Sequence, residues 1–400
     1  MSTQPRRPAG QSTGGQFTWP AASTETVATN DWRHYDAAIL PSIAGLSVAE
    51  ALPADLIADV GAAQQAIRDF DSEMSRELAG LALGSIDTIL VRSEAASSSQ
   101  IEHLTVSAKQ LALAEIGESK RANAKLVNAN TAALRDALRI DNPFSTAAIT
   151  AMQAELLGDT DLHIGPRHEP VWIGTNGSTP VGADYVAPQH TRVEASLNDL
   201  WLFLNQPTQL PLAHIAVAHG QFENIHPFVD GNGRVGRALV HSYLRRSDLS
   251  RRVTVPISAG LLANPQGYVT ALTSLRQGDP APIVQQFVQA ARDAASIGRE
   301  MVGELQAVRR QWQTRVTARS DSVAWAIADG LIAHPAVTGN KAAELYGVDP
   351  RTARTAIASL VNAGVLRRAS SGSRNQVWVA EEVTATYDRI AVLIGRRKPY

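Results

Sequence analysis

The 400-residue chain contains no cysteine, which excludes disulfides and thiolate metal sites and gives no indication of an oxidising compartment. Aromatic residues are scarce at 5%, and this scarcity favours packed helices over a β-sandwich. The net charge is only -1, so any surface that binds nucleic acid must be local. No uncharged apolar run is long enough to cross a bilayer, and Arg6 and Arg7 precede no apolar signal segment. The sequence therefore predicts a soluble, cytoplasmic protein of two or three domains without a membrane partner.

The hydrophobic pattern predicts a mainly α protein. Residues 1–30 are rich in Gly, Ser, Thr, Pro and Gln, a composition that predicts a disordered tail. Residues 31–120 form an N-terminal helical region, because apolar residues recur there at steps of three and four. Within it, we expect a loop around Arg92–Glu94 and a new helix from about Ser98. The predicted segments that follow are a core at 121–300, a linker helix at 301–318 and a small α+β domain at 319–400.

A change of composition inside the core predicts a β-hairpin. The apolar stretches around Trp172 and Tyr185 flank Asn176–Gly177, a dipeptide favoured in tight hairpin turns. Helical periodicity then continues over 197–218, and it resumes at Val235. The hairpin is therefore an isolated β element within a helical core.

The segment HPFVDGNGRVGR, His226–Arg237, joins one apolar helical stretch to the next, so its glycines stand at the start of a helix. Unpaired N–H groups and the positive end of the helix dipole meet at such a start and create a phosphate site. Gly231 and Gly233 permit positive φ and a close approach of ligand to backbone. Arg234 and Arg237 are three residues apart, so they share a face of the first turn and can grip one polyphosphate.

Three other side chains of this segment have predicted roles. Asp230 is placed to hold a divalent cation through oxygen, and His226 has an unperturbed pKa suited to a general base at neutral pH. Phe228 is expected to be buried and to fix the loop. The plain alternative is a helix start with a tight turn and two solvated arginines. Because eight specified positions coincide over twelve residues, the functional interpretation is favoured over this alternative.

The segment resembles the signature of the Fic (Fic/Doc) family, His-x-Phe-x-Asp/Glu-Gly-Asn-Gly-Arg-x-x-Arg, at every specified position. The resemblance implies a Fic-type helical bundle over about 48–289 that transfers AMP from Mg-ATP to a Ser, Thr or Tyr hydroxyl of a target protein, including itself. It implies that His226 is the base and that Asp230 binds Mg²⁺. The implied nucleotide ligands are Gly231, Asn232 and Gly233 at the α-phosphate region, Arg234 on the β-phosphate side and Arg237 at the γ-phosphate.

The predicted hairpin is similar to the flap of this family, which aligns a target peptide by strand addition. An exposed strand edge offers main-chain hydrogen bonds whatever the sequence of the incoming segment. The candidate flap residues are Trp172, Ile173 and Gly174. Packing in the core explains Trp172 equally well.

Residues 92–102 resemble the family's N-terminal inhibitory helix, whose pattern is Ser/Thr-x-x-x-Glu followed by Gly or Asn. Ser98 and Glu102 match the pattern, whereas His103 stands at the Gly/Asn position. The resemblance implies that Glu102 pairs with Arg237 and places a carboxylate where the γ-phosphate should bind. A solvated glutamate after a serine cluster is the plain alternative.

The adenine pocket has one candidate. Tyr268 falls where the family often has the first of two tyrosines, but Val269 takes the place of the second. An apolar helix face explains Tyr268 as well as a base-stacking role does.

Residues 320–380 resemble a winged helix-turn-helix, with helices at about 322–333, 340–346 and 350–360 and a two-stranded wing after them. Asp349 and Pro350 supply the N-cap and first-turn proline of the third helix. Five arginines and no acidic residue lie between 351 and 375, so DNA contact is expected, with protein docking or homodimerisation as the alternative. The candidate DNA contacts are Arg351, Thr352, Arg354, Thr355 and Arg374.

Several functions remain open beside AMP transfer. A transcriptional regulator with a nucleotide-sensing Fic-like part would need phosphate ligands but no base, so the presence of His226 argues against it. A toxin-like phosphotransferase would differ in which ATP phosphate reaches the product. Removal of AMP from modified targets, with Glu102 orienting water, is a further alternative.

Overall fold

The computed structural model describes residues 17–29, 33–76, 83–139, 144–158, 160–174, 179–369 and 376–396. Three predicted features lie outside these ranges: the first sixteen residues of the tail, the Asn176–Gly177 turn, and the wing turn that carries Arg374. The described chain is mainly helical with small antiparallel sheets, which confirms the predicted mainly α class. Within the same ranges, no helix is both long and apolar enough to cross a membrane.

The chain divides into two compact units, and neither unit is continuous in sequence. The segments predicted at 31–120 and 121–300 each contribute to both units. The predicted linker helix at 301–318 is not a separate element, because one long helix includes residues 301–315. The first unit comprises 1–66, 132–251 and 264–292, and the second comprises 67–131, 252–263 and 293–400.

The first unit is built around a buried helix, Pro211–Ile225. Ten of its 15 residues are small or apolar, and all 15 except Glu223 are buried, so neighbouring helices can pack on it from several directions. Its elements are β1 (Ser23–Ala28), β2 (His34–Ile39), α1 (Val48–Ala51), α6 (Thr146–Leu157), β3 (Trp172–Ile173), β4 (Tyr185–Val186), α7 (His190–Leu204), α8 (Pro211–Ile225), α9 (Asn232–Arg246) and α11 (Pro265–Arg276). Three helices contribute to both units: α2 (Ala54–Arg76), α5 (Ala122–Ala137) and α12 (Ala281–Arg315).

The disordered tail predicted for residues 1–30 is wrong over β1. This strand pairs antiparallel with β2 along its whole length, from Ser23 opposite Ile39 to Ala28 opposite His34. The β-branched residues of β1 favour a strand, and Trp19 is buried with its ring edge-on to Phe203, at a centroid distance of 6.4 Å. One buried aromatic anchor and a paired strand thus outweigh a composition that is otherwise typical of disorder.

The second unit contains the helix α3 (Leu83–Ile101), which runs unbroken through the positions where we predicted a loop and a helix start. That prediction is wrong because the polar residues at its centre are buried and paired. Arg92 forms an ion pair with Glu115, and the Glu94 carboxylate accepts the Ser258 N–H at 2.8 Å. The remaining elements of this unit are α4 (Ala108–Glu115), α10 (Ile257–Leu262), α13 (Val323–Ala333), β5 (Ala336–Thr338), α14 (Gly339–Tyr346), α15 (Pro350–Asn362), β6 (Arg367–Arg368), β7 (Val377–Val379) and α16 (Glu381–Arg396).

The C-terminal helices α13, α14 and α15 occupy the positions that the sequence predicts. Asp349 is the N-cap of α15, and its carboxylate accepts the N–H groups of Arg351 at 2.8 Å and Thr352 at 3.0 Å. The strands form a three-stranded antiparallel sheet in the order β5-β7-β6. The strand β5 and the helix α16 were not predicted; β5 is too short to produce a periodic pattern.

Candidate active site

The candidate base, His226, stands at the C-terminal end of α8 in a left-handed backbone conformation, with φ 48° and ψ 62°. This conformation costs a non-glycine residue about 1–2 kcal/mol, so surrounding contacts must hold it. The ring atom Nδ1 lies 3.3 Å from the Glu223 carbonyl oxygen. Because a carbonyl only accepts, Nδ1 carries the proton, and the lone pair on Nε2 is left to act as a base.

Arg167 holds the backbone at His226. Its side chain is only 1% exposed, and Nε donates to the His226 carbonyl at 2.8 Å. The two Nη atoms donate to the carbonyls of Glu169, at 2.9 Å, and Pro188, at 2.6 Å. Burial lowers the pKa of Arg167 to about 10, so the guanidinium is still charged at neutral pH. Sequence reasoning missed this residue, because Pro166-Arg167 has the appearance of an exposed loop arginine.

The loop after His226 is fixed by Asn232 and Phe228. Asn232 Oδ1 accepts the Phe228 N–H and its Nδ2 donates to the Phe228 carbonyl, both at 2.9 Å. Phe228 is fully buried and meets Phe222 edge-on, as predicted. Both ends of the Asn232 amide therefore shape the loop, and its nucleotide-binding role stays a prediction.

Gly231 is the N-cap of α9, with φ 92° and no side chain that caps the helix. A Cβ atom here would lie 2.9 Å from Leu156 Cδ2, so both the conformation and the packing require glycine. Gln153, buried on α6, donates to the Asp230 carbonyl at 3.1 Å and so ties α6 to the loop. Gly231 offers the first amides of α9 no side-chain cap, which favours the binding of an anion there. The Gly231 N–H itself donates to Asp230 Oδ1 at 2.7 Å.

The two arginines of the segment are buried in the first turn of α9, Arg234 at 5% exposure and Arg237 at 2%. Arg234 Nη2 lies 3.2 Å from both carboxylate oxygens of Asp230. Its Nε and Nη1 are buried and have no hydrogen-bond partner within the described ranges. A buried unpaired donor costs about 1–3 kcal/mol, and each such group in a native protein calls for an explanation. An anionic ligand that accepts from both donors would be such an explanation.

Arg237, in α9, lies near His219, which belongs to α8. Burial lowers the pKa of His219 to about 3, and the positive charge of Arg237 acts in the same direction. His219 is therefore neutral at physiological pH, and it adds no second positive charge next to the guanidinium. This arrangement leaves the cationic character of the site to the two arginines.

Tyr268, predicted as a nucleotide contact, is buried in α11. Its hydroxyl lies 2.7 Å from His219 Nε2, and the two rings stack at a centroid distance of 5.9 Å. The alternative prediction, an apolar helix face, accounts for this position. In this geometry the Tyr268 hydroxyl supports α8, and its contact with a nucleotide stays a prediction.

The metal prediction rests on Asp230, whose side chain is half exposed. The described residues include no cluster of three or more His, Cys, Asp or Glu that could hold an ion by itself. Mg²⁺ commonly binds one or two carboxylates together with substrate phosphates and waters. A single exposed carboxylate at the start of an anion-binding helix fits that mode of binding.

The candidate flap consists of β3 and β4, paired antiparallel with Trp172 opposite Val186 and Ile173 opposite Tyr185. Ile173 is 50% exposed, whereas Trp172 is half-buried. On the inner strand, the Tyr185 hydroxyl donates to the Asn224 carbonyl near the end of α8. Among the described strands β3 has no partner besides β4, so its outer edge has the form that strand addition needs. Gly174, with φ 96°, follows it.

In the second unit, α3 ends next to the predicted inhibitory residues. Ser98 is buried in its last turn, and Glu102 is exposed just beyond it. His103 has φ 60°, and the Leu104 N–H donates to the Ser99 carbonyl at 2.9 Å, which is the helix-closing pattern that glycine or asparagine usually provides. The tight turn is thus formed despite the histidine. The pairing of Glu102 with Arg237 stays a prediction.

Four of the five candidate DNA contacts are exposed on α15. Arg351, Thr352, Arg354 and Thr355 face solvent, while the helix buries Ala353, Ala356, Ile357 and Leu360. The fifth, Arg374, lies outside the described residues. The hydroxyls of Thr352 and Thr355 bind locally, to the Asp349 carboxylate and the Arg351 carbonyl. The two arginines are therefore the principal polar groups that this face offers.

Residues 143–244 match the model of the Fic/DOC family. The matched range contains the loop, the candidate flap, the helix α8 and all but the last two residues of α9. It confirms the resemblance there. It is shorter than the stretch of about 48–289 that the sequence suggested.

Two relatives bear the name protein adenylyltransferase. The chain is 30% identical over 154 residues to protein adenylyltransferase fic-1 of Caenorhabditis elegans, which covers 38% of this chain and 27% of that protein. It is 35% identical over 101 residues to protein adenylyltransferase Fic of Drosophila melanogaster. That match covers 25% of this chain and 19% of the Drosophila protein. The chain thus spans about a quarter or less of the length of these curated relatives. A Fic family protein from Desulfovibrio desulfuricans G20 aligns in structure with a TM-score of 0.49 and 22% identity, over 82% of this chain and 94% of that one.

Proposed function

We propose that this chain is a protein adenylyltransferase that transfers AMP from Mg-ATP to a Ser, Thr or Tyr hydroxyl of a target protein, including itself. The observation that carries the proposal is Arg234, a buried guanidinium with two unpartnered donors at an uncapped helix start. A triphosphate satisfies such donors through charge-assisted hydrogen bonds. The names of the relatives support the choice of AMP as the transferred group.

The chemistry follows from the positions of the loop residues. The target hydroxyl oxygen attacks the α-phosphorus of ATP, and His226 Nε2 takes the hydroxyl proton. The bond between the α-phosphorus and the bridging oxygen breaks, and pyrophosphate leaves with that electron pair. Arg234 and Arg237 stabilise the negative charge that moves onto the leaving group. Mg²⁺, held by Asp230, would lower the repulsion between the phosphates and the incoming oxygen.

The target docks at the flap in this proposal. The outer edge of β3, which includes Ile173, would pair with the main chain of an extended target segment. Because strand addition depends little on side chains, the flap selects an extended shape with a hydroxyl residue opposite the loop. The identity of the target is set by contacts outside this edge.

We also propose that Glu102 restrains the enzyme by engaging Arg237. A carboxylate that occupies this guanidinium would compete with the γ-phosphate and leave ATP in a pose unsuited to in-line attack. The formed turn at His103 supports this proposal, because it fixes the chain directly after Glu102.

The test is self-modification with ATP labelled at either the α- or the γ-phosphorus, in wild type, His226→Ala and Glu102→Gly. Label from the α-phosphorus alone, lost in His226→Ala and raised in Glu102→Gly, is the expected result. The matched control is Glu118→Gly, which removes another exposed glutamate of the second unit and is expected to behave as wild type.

Each alternative has its own signature in this experiment. Label from the γ-phosphorus alone indicates a phosphotransferase. Absence of label in every variant, in the presence of ATP binding, indicates a nucleotide-sensing regulator. Incorporation by Glu102→Gly at the wild-type level would remove the restraint but leave the transferase.

A second proposal concerns α13 to α15 and the sheet β5-β7-β6, which we interpret as a winged helix-turn-helix that contacts DNA. The observation that favours it is the exposure of Arg351 and Arg354 on one face of α15. The start of the third helix is where such units usually contact bases and phosphates. A docking surface for protein is the alternative.

A further inference from the structure

A cavity in the second unit lies among α3, α4, α12 and α16, away from the loop chemistry described above. Its open volume is about 480 Å³, part of it continuous with solvent. The apolar part of its wall includes Leu111, Met301 and Ile394, and its polar part includes Arg92, Ser97 and Asp388. Exposed Ala391 and half-buried Gln100 belong to the lining as well, so the cavity reaches the surface.

Arg92 is the unusual member of this lining. It is 2% exposed, its Nε donates to Glu115 Oε1 at 2.8 Å, and its Nη2 pairs with the other carboxylate oxygen. Its guanidinium carbon lies 5.5 Å from the centre of the Tyr387 ring. Nη1 is buried and has no hydrogen-bond partner among the described residues. The Tyr387 hydroxyl is a further hydrogen-bond partner of the guanidinium, and Nη1, buried in the wall of an open cavity, is the donor that the oxygen of a bound molecule would reach.

The charges around Arg92 restrict which oxygen can fill that place. Burial acts to raise the pKa of Glu115, but the Arg92 charge and a contact from His334 outweigh it and lower the pKa to about 2. Glu115 therefore stays ionised and already balances the guanidinium. Asp388, whose Oδ1 accepts the Ala108 N–H at 2.7 Å, lines the cavity and adds a carboxylate to its wall. A further anion would meet two carboxylates, and a cation would meet Arg92 without offering it an acceptor.

We propose that this cavity binds a small uncharged amphiphile, with a carbonyl oxygen that accepts from Arg92 Nη1 and an aliphatic body that packs against Leu111, Met301 and Ile394. Such a ligand would bridge α3 to α16. The site stands independently of the transferase chemistry, because it uses none of the residues of the loop.

Three probes with the same tail and different heads test the proposal: hexanamide, hexanoate and hexylamine. The chain has four methionines, and Met301 lines the cavity. Titration of full-length protein carrying ¹³C-methyl methionine is expected to shift the Met301 methyl signal saturably with hexanamide. Hexylamine, which offers Nη1 no acceptor, is expected to bind at least ~10-fold more weakly, the factor that one hydrogen bond to a charged donor supplies. Hexanoate is also expected to bind at least ~10-fold more weakly, because its charge is repelled by the carboxylates of Glu115 and Asp388. The signals of Met74 and Met152 are internal controls.

Two variants make the result specific. Ala96→Leu fills the cavity from α3 and is expected to abolish the shift, while Ala326→Leu, at an exposed position of α13, is the matched control and is expected to bind as wild type. Arg92→Lys keeps a cation for Glu115 but removes Nη1, so it is expected to reduce the preference for hexanamide over the other heads. A Met301 signal that does not move, a shift that is equal for the three heads, or saturable binding retained in a folded Ala96→Leu protein overturns the proposal.

Discussion

The helices α9 and α15 have the same arrangement of positive charge in their first turns, but the arginines that carry it are buried in α9 and exposed in α15. Each has two arginines three residues apart in its first turns, Arg234 and Arg237 in one and Arg351 and Arg354 in the other. In α9 the N-cap is Gly231, which leaves the first amides uncapped by a side chain, and both arginines are buried. In α15 the N-cap is Asp349, whose carboxylate already accepts two of these amides, and both arginines are exposed.

This contrast indicates that the N-cap residue, more than the arginines, decides whether the start of such a helix suits a compact anion site, as in α9, or a general basic surface, as in α15. An aspartate cap neutralises part of the positive helix end and occupies the amides that a phosphate would use. A glycine cap keeps the amides for a ligand, and burial of the arginines excludes the water that would weaken their hydrogen bonds. The unpartnered donors of Arg234 are expected to reduce the stability of the ligand-free protein and to add to the affinity for a ligand that binds there.

The largest effect on stability is expected for Arg167→Met. This variant removes a buried arginine whose donors are already hydrogen-bonded, in contrast to Arg234. The change leaves the carbonyls of His226, Glu169 and Pro188 without their donor. We expect the free energy of unfolding to fall by about 3–5 kcal/mol, measured by urea titration. Arg167→Lys, which keeps the charge but reaches fewer carbonyls, is expected to recover part of the loss. Unchanged stability in both variants would contradict the role of Arg167 as the support of the His226 turn.

The next largest effect is expected for Arg234→Met, and it concerns ATP affinity. Unlike Arg167, Arg234 has buried donors without a hydrogen-bond partner. This change removes two unpartnered donors, so the unfolding midpoint without nucleotide is expected to stay the same or rise. ATP affinity, measured by calorimetry, is expected to fall by about 10- to 100-fold, because a hydrogen bond to a charged group contributes ~1.5–3 kcal/mol. A fall in stability with unchanged ATP affinity would show that Arg234 is structural, like Arg167.

A smaller effect is expected at the glycine cap itself. Gly231→Ala places a Cβ 2.9 Å from Leu156 Cδ2 at φ 92°, whereas Gly347→Ala has the same left-handed backbone, at φ 61°, with no atom within 4 Å. Both variants are expected to lose about 1–2 kcal/mol of stability from the conformation alone, measured by thermal unfolding. Only Gly231→Ala is expected to lose more from packing and to weaken ATP binding. Equal losses in stability and unchanged ATP binding in both would remove the special role of the cap.

The sequence predicts the loop well because its residues are close in the chain, so the helix start, the glycines and the buried Phe228 follow from local rules. It predicts Asp349 for the same reason. Arg167 and Gln153 could not be found this way, since a buried arginine or glutamine looks like a solvated one until its distant partners are known. The unbroken α3 was missed for a related reason. Arg92 and Glu94 have the appearance of loop residues, but they pair with Glu115 and Ser258 elsewhere in the second unit.

The double variant Arg351→Ala with Arg354→Ala tests the exposed arginines of α15. It is expected to have the smallest effect on stability. Because both side chains are exposed, the free energy of unfolding is expected to change by less than about 0.5 kcal/mol. Binding to a non-specific DNA duplex is expected to weaken, and the slope of log affinity against log salt is expected to drop by about 2, since two phosphate contacts are lost. The control is the pair Arg139→Ala and Arg251→Ala, which removes the same charge from two other exposed positions. If both pairs change the slope equally, α15 contributes only net charge; if neither does, its basic face serves a protein partner.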